Sequence, residues 1–272
     1  MRELDRLPDM NALYPRLVAS AARRGPRSGD PEGVRVRDVT VDPAQLARYA
    51  RATGMTLRDE APITFPFVLA FPLVMDVMAT PEFPFAPLGA VHIANSIRQS
   101  APLRVGETYD IEVTLERTRP HKRGTLVDMR TLFFPSGERS EPIGEQTSVF
   151  LGKGKPPAGE PEGGRVVGEG ETSASVAEWR FTRADVRDYA EASGDRNPIH
   201  VSLVGAKAFG FPAPIAHGML LAARMAAWAD ARREFDIDFY KPVVLPARVT
   251  LHAGDVLELR RGEKLHARAR AV

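Results

Sequence analysis

The chain has 272 residues, 43% apolar and 26% charged, with a formal net charge of +2. That balance excludes disorder throughout, and the mild basicity leaves room for an anionic ligand while falling short of a nucleic-acid-binding surface. With no cysteine, disulfides, thiolate catalysis and cysteine-ligated metals are excluded together.

Taken from the start, Met1 to Leu7 lacks an apolar stretch or cleavage site, and nowhere do 18 uncharged apolar residues run together. No membrane span is expected, and a cytoplasmic location follows by default. Residues 1–30 read as an N-terminal extension without an assigned role, in which Asn11 to Ala22 forms a short packing helix.

Beyond it the chain repeats itself. Leu46-Ala47-Arg48-Tyr49-Ala50-Arg51-Ala52-Thr53-Gly54 aligns with Val186-Arg187-Asp188-Tyr189-Ala190-Glu191-Ala192-Ser193-Gly194 at an offset of 140. Each copy follows a strand-like run, Val34 to Val41 and Val176 to Phe181. Each opens at a helix-start signal, Asp42-Pro43 in one and Thr182-x-x-Asp185 in the other. Phe65 to Leu73 then aligns with Phe211 to Met219 at an offset of 146.

Strand-like segments complete each half: Tyr109 to Leu115, Leu126 to Phe134 and Thr147 to Leu151, then Val243 to His252, Val256 to Arg260 and Leu265 to Val272. Residues 152–172, rich in glycine, proline, lysine and glutamate, read as an exposed connector. The expected organisation is an N-terminal half over 31–151 and a C-terminal half over 173–272. In both, the order strand, helix, apolar helix and antiparallel strands predicts an α+β fold with a curved sheet round a central helix. Ile215 to Ala229, with only His217 and Arg224 strongly polar, is the candidate central helix.

Chemistry concentrates in Ser193-Gly194-Asp195-Arg196-Asn197-Pro198-Ile199-His200 and the following Ala216-His217-Gly218-Met219. A carboxylate and an imidazole five positions apart, in a loop stiffened by Pro198 and turned by Gly194 and Asn197, can hold one water between them. Pro212 and Pro214 place Gly218 at the start of the buried helix, where unpaired amides and the helix dipole favour negative charge. A candidate base, acid and donor for developing negative charge thus stand within one short stretch of chain.

These segments closely resemble the MaoC-like hydratase signature, with its Gly-Asp-x-Asn-Pro-x-His core and Ala-His-Gly-Met segment both intact, and the N-terminal half resembles the degenerate repeat of two-repeat members. The resemblance implies a double hot-dog fold and an (R)-specific enoyl-thioester hydratase, equally a 3-hydroxyacyl-thioester dehydratase, in fatty acyl metabolism. Asp195 and His200 would be the acid/base pair, Gly218 the carbonyl donor, and Asn197 an orienting hydrogen-bond partner. Lys241 lies where the family often carries a lysine before proline, and either approaches the phosphates of coenzyme A or is a plain surface lysine. Coenzyme A and acyl carrier protein both remain open as carriers, and monomer and homodimer as assemblies.

The repeat is an internal control: Met55 replaces Asp195, Pro72 replaces Gly218, and His200 has no counterpart, so the N-terminal half is expected to be silent. Its Phe65, Phe67, Phe71 and Met75 line a tunnel for an acyl chain or pack as core. Ala226, where some relatives carry a polar side chain, makes the pocket more apolar. Ser193 reads as a turn residue, and His217 as a helix-start residue that packs or touches substrate. His92, His121, His252 and His266 show no paired metal-ligand spacing, so neither metal nor cofactor is expected. The competing functions are an acyl-thioester hydrolase on the same fold and a non-catalytic acyl-thioester-binding scaffold.

Overall fold

The computed structural model describes residues 1–22, 27, 29–137 and 141–272. One antiparallel system dominates it. The N-terminal half contributes β2 (Val34–Thr40), β3 (Val91–Gln99), β4 (Thr108–His121), β5 (Gly124–Pro135) and β6 (Gly144–Lys153); the C-terminal half contributes β7 (Thr172–Phe181), β8 (Glu234–Phe239), β9 (Ala247–Gly254), β10 (Leu257–Arg261) and β11 (Lys264–Ala271). With β1 (Arg2–Leu4) added in parallel at one edge, they form an 11-stranded sheet ordered β1-β2-β4-β5-β6-β3-β8-β11-β10-β9-β7.

Read outward from the β3/β8 seam, the two halves have the same strand order, which is the double hot-dog expected from the repeat. The seam pairs Ala94 with Asp238 through Arg98 with Glu234, and Arg98 reaches Asp236 across it at 2.6 Å. β3 and β8 escape the reading of strand-like segments above. A period-2 signal exists in β8, where Phe235 and Ile237 are buried and alternate with Glu234 and Asp236.

The helices match as pairs. Asp42 caps α2 (Pro43–Thr53) by accepting from the amides of Ala44 and Gln45, and Thr182 and Asp185 form a reciprocal capping box on α4 (Arg183–Ser193). Both end on a left-handed glycine, Gly54 at φ 74° and Gly194 at φ 75°. The pair pack together, with Tyr49 and Tyr189 ring centroids 6.0 Å apart.

The apolar helices α3 (Phe65–Met78) and α7 (Gly218–Trp228) fill the inner face, and α7 buries Met219, Leu220, Leu221 and Met225. At about 1.5–3 kcal/mol for each large apolar side chain removed from water, this burial dominates the local energetics. α7 is shorter than the expected helix from Ile215, because Ile215 is held in an antiparallel bridge to Val244, with the Ala216 amide bonded to Val243 and the Leu245 amide to Pro214. β9 likewise begins at Ala247 rather than Val243, since Pro246 has no amide to give a ladder.

The segment 152–172 is exposed over most of its length and is tied to the sheet at a few points. Its first two residues extend β6, and its last begins β7. In between, Val167 is buried, and the amides of Val166 and Val167 donate to the Asp238 carboxylate at 2.8 and 3.1 Å. Arg119 donates to the Gly163 carbonyl at 2.6 Å. A fully buried carboxylate on β8 requires donors, and the connector supplies them.

Two small helices, α5 (Pro198–Val201) and α6 (Leu203–Ala208), occupy the loop that the N-terminal half lacks. The N-terminal extension forms α1 (Met10–Ala22), the expected packing helix, which buries Leu13 and Leu17. Among the described residues, no helix is long and apolar enough to cross a membrane.

Candidate active site

Gly194 stops α4, and Asp195 emerges from the turn with its amide bonded to Ser193 Oγ at 3.2 Å. Asp195 Oδ1 accepts the Asn197 amide at 3.1 Å, and Asn197 Oδ1 in turn caps α5 through the Ile199 amide at 3.3 Å. Pro198 stands at the first helical position, where its missing N–H costs nothing. This chain of local bonds delivers His200, on α5, back toward Asp195. Ser193 therefore takes the turn role read from the sequence, and Asn197 builds the loop that carries the imidazole.

A carbonyl oxygen only accepts, so His200 Nδ1, 2.8 Å from the Ile215 carbonyl, carries the ring proton and leaves Nε2 with a lone pair. By the same argument His217 Nε2 donates to the Asp195 carbonyl at 3.0 Å. The two rings lie against each other with centroids 3.8 Å apart. Asp195, His200 and His217 bring potential ligand atoms within 4.8 Å of one another, and His200 Nε2 and His217 Nδ1 are the ring nitrogens not bonded to the backbone.

Electrostatics favour a low-charge site. Burial pushes the Asp195 carboxyl up, against the opposing influence of His200 and the Asn197 amide. Burial pushes His200 down, opposed by Asp195 and the bond to Ile215. His217 is held well below the ordinary histidine range by burial and then by its neighbour His200. The imidazoles are neutral at pH 7, as a base needs.

The pair opens into a cavity of about 510 Å³ that runs between the halves. Gly218 begins α7 on its wall, so the first-turn amides of Gly218 and Met219 have no acceptor within the helix. A Cβ at Gly218 would come within 3.1 Å of the Phe239 ring, which also lines the cavity. Without a side chain, Gly218 leaves the helix end open to the cavity.

From the N-terminal half, Phe67, Phe71 and Met75 reach the cavity. Phe65 does not: it is fully buried and packs edge-on against Tyr49 at 5.4 Å, so its placement in a substrate tunnel is corrected to core. α3 begins two turns before the point equivalent to Gly218, which leaves Pro72 inside the helix rather than at its end. Lys241 is exposed on the rim, joined by Arg123 and Lys153 from the other half.

Sequence reasoning missed those two cations, and also Tyr14, Tyr189 and His92 on the wall. The Tyr189 hydroxyl and His217 Nδ1 are buried without a partner among the described residues. A signal for Tyr189 existed: its repeat counterpart Tyr49 bonds Thr64 Oγ1 at 2.8 Å, whereas the residue aligned with Thr64 is Gly210, which has no hydroxyl. The cleft beside Met55, about 400 Å³, is lined by Met55, Arg58 and Glu60 together with Ala226 and Asp230 of the other half, and contains no histidine among the described residues.

Comparison with known proteins places the chain among relatives. The MaoC like domain family matches residues 167–266. Over 231 residues the chain is 36% identical to 3-hydroxyacyl-thioester dehydratase X of Mycobacterium tuberculosis, covering 82% of this chain and 80% of that protein. It is 35% identical over 80 residues to 3-hydroxybutyryl-CoA dehydratase of Methylorubrum extorquens, covering 29% of this chain and 51% of that protein. The crystal structure of HtdX of Mycobacterium tuberculosis superposes with a TM-score of 0.76 at 34% identity, over 89% of this chain and 100% of that one. An acyl-ACP thioesterase of Bacteroides thetaiotaomicron, at 10% identity and a TM-score of 0.57 over 88% of this chain and 97% of that one, shares the fold alone. With the Asp195/His200 loop, the Gly218 helix end and these likenesses in agreement, the chain belongs to the MaoC-like dehydratase family.

Proposed function

We propose that this protein interconverts trans-2-enoyl and (R)-3-hydroxyacyl thioesters, acting as a hydratase and, in reverse, as a dehydratase of fatty acyl metabolism. The observation that carries the reading is the meeting of Asp195 and the unprotonated Nε2 of His200 beside the open amides of Gly218, at one cavity.

In hydration, a water rests between the Asp195 carboxylate and His200 Nε2. His200 takes its proton as the oxygen attacks the β-carbon. Negative charge collects on the thioester carbonyl oxygen, which the Gly218 amide and the start of α7 hold. The proton passes from His200 to Asp195 and on to the α-carbon from the same face. Hydroxyl has then been added at one carbon and hydrogen at the other, and the pair is restored. Burial, which raises Asp195 and lowers His200, brings the two proton affinities together so that this transfer is easy. The chemistry runs on protons held by these side chains, with no resident metal or cofactor required.

On this reading residues 173–272 are the catalytic half, and 31–151 houses the acyl chain beside Phe67, Phe71 and Met75. The carrier crosses the rim, where Arg123, Lys153 and Lys241 present three cations for its phosphates. Coenzyme A is the carrier these cations favour, and acyl carrier protein the alternative. A cytoplasmic place belongs to the same proposal.

The test is loss of enoyl absorbance on adding protein to trans-2-enoyl-CoA of several lengths, with chiral analysis of the product and Asp195→Asn and His200→Ala as controls. Turnover to the (R)-3-hydroxy product, lost in both variants, establishes the reading. Release of free thiol marks a hydrolase, and binding without turnover a scaffold.

A further inference from the structure

Residues 1–30 stand outside both repeats, yet α1 lies over the catalytic cavity. Tyr14 and Leu17, three positions apart and so on one helix face, both form part of its wall. The helix is held in place at two points. Arg16 reaches the buried Asp76 carboxylate of α3 at 2.6 Å, and Arg2 of β1 grips the same group. At its start, Met10 abuts Gly194, the residue before Asp195: a Cβ at Gly194 would come within 3.3 Å of Met10 Cγ. α1 is thus packed against the catalytic loop itself.

Tyr14 shares the cavity wall with Asp195 and His200, and its phenol feels the Asp195 charge. A protonated phenol on that wall can donate a hydrogen bond into the cavity. Burial, reinforced by Asp195, keeps that phenol protonated throughout the working range. Bonds to Asp195 within the protein come from the Asn197 amide, leaving carboxylate oxygen to face the cavity. An oxygen held there by Asp195 and His200 would share the cavity with the Tyr14 phenol.

We propose that Tyr14, on the N-terminal helix, contacts the substrate, its hydroxyl donating a hydrogen bond to the oxygen that enters as water and leaves as the 3-hydroxyl between Asp195 and His200. The N-terminal extension is then part of the catalytic pocket, although it belongs to neither repeat. This inference rests on the hydration reading above and adds a residue that the signature motif does not contain.

The inference makes an asymmetric demand. The 3-hydroxyacyl thioester carries the oxygen in question, while the enoyl thioester and a saturated acyl thioester do not. In Tyr14→Phe, the KM for 3-hydroxyacyl-CoA is expected to rise about 3- to 10-fold, the worth of one neutral hydrogen bond. The inhibition constant of saturated acyl-CoA of equal length stays at its wild-type value. For the enoyl substrate the loss falls on kcat. The overall equilibrium requires kcat/KM to fall by the same factor in both directions, which checks the measurements. Val18→Ser, an exposed position on the same helix, serves as the neutral control.

Unchanged constants in Tyr14→Phe, or equal weakening of saturated and hydroxylated ligands, overturns the inference and reduces Tyr14 to packing. Absence of turnover in the wild-type protein is a different result: it removes the hydration reading, and the inference with it.

Discussion

Replacing Asp195 with asparagine separates the catalytic from the structural consequences of the site. The side chains have the same shape, and the amide oxygen still accepts the Asn197 amide that Asp195 Oδ1 holds at 3.1 Å, so the loop and α5 stay in place. What is lost is a group able to take a proton from His200 and deliver it to carbon. General acid–base catalysis by a positioned side chain contributes about 10²- to 10⁴-fold, equal to about 2.7–5.4 kcal/mol of barrier at 1.36 kcal/mol per decade. Stability moves the other way. Because burial raises the Asp195 pKa above its unfolded value, the folded state resists the ionised form, and that penalty is present at pH values above both pKa values. An uncharged amide removes it, so the variant is expected to melt at or above the wild-type temperature at pH 7 while kcat falls by at least 100-fold. Enoyl-CoA absorbance and thermal unfolding measured on the same preparation give both numbers. A variant that keeps more than a third of wild-type kcat, or one that loses activity together with its melting transition, would refute this account.

At Gly218, proline removes the amide without breaking the helix, since the position is the first of α7 and His217 already has the extended backbone that proline requires before it. Gly218→Pro is expected to lose about 10²- to 10³-fold in kcat. Gly218→Ala, which crowds the Phe239 ring equally but keeps the donor, should lose far less, and the ratio of the two reports the amide. Phe71→Trp fills the N-terminal end of the cavity, so turnover of long enoyl chains should fall relative to four-carbon substrate in a chain-length series. Neutralising Lys153 and Lys241 together should raise KM for a coenzyme A thioester several-fold and leave that for the pantetheine thioester, which lacks the phosphates, where it was. His92, stacked between Phe67 and Phe150, has its pKa pushed down to about 4 by burial. The unfolded chain takes up this proton first as pH falls, so stability drops between about 6.5 and 4; at about 1.4 kcal/mol per unit the loss approaches 3 kcal/mol, less where water reaches the ring. Denaturant midpoints across that range should fall more steeply for the wild type than for His92→Leu.

Local chemistry made much of this protein legible from its residues in order. The capping signals at Asp42 and at Thr182 with Asp185 act over three or four positions, and the glycines that end α2 and α4 do so through their own backbone freedom. The Asp195-to-His200 loop is likewise built from bonds between residues two apart, so its local form is written in its sequence. The repeat carried the architecture, because two copies of one supersecondary pattern must bury the same faces. What lay beyond reach came from groups distant in sequence. Which carbonyl orients His200, 15 residues away, is decided by how the Ile215 segment returns to the loop. The seam strand β3 lies between β6 of its own half and β8 of the other, a neighbour that no local pattern names, and Asp238 draws the connector onto the sheet only once β8 is buried. Phe65 and Phe71 look alike as letters on one apolar helix; six positions turn them to different neighbours, one to Tyr49 and one to the cavity. Tyr14 sits 181 residues before Asp195, and no pattern along the chain joins them. Sequence carries those features whose free energy is settled within a turn of helix or a loop, whereas the walls of the cavity are set by packing between elements, which exists only after the chain has folded.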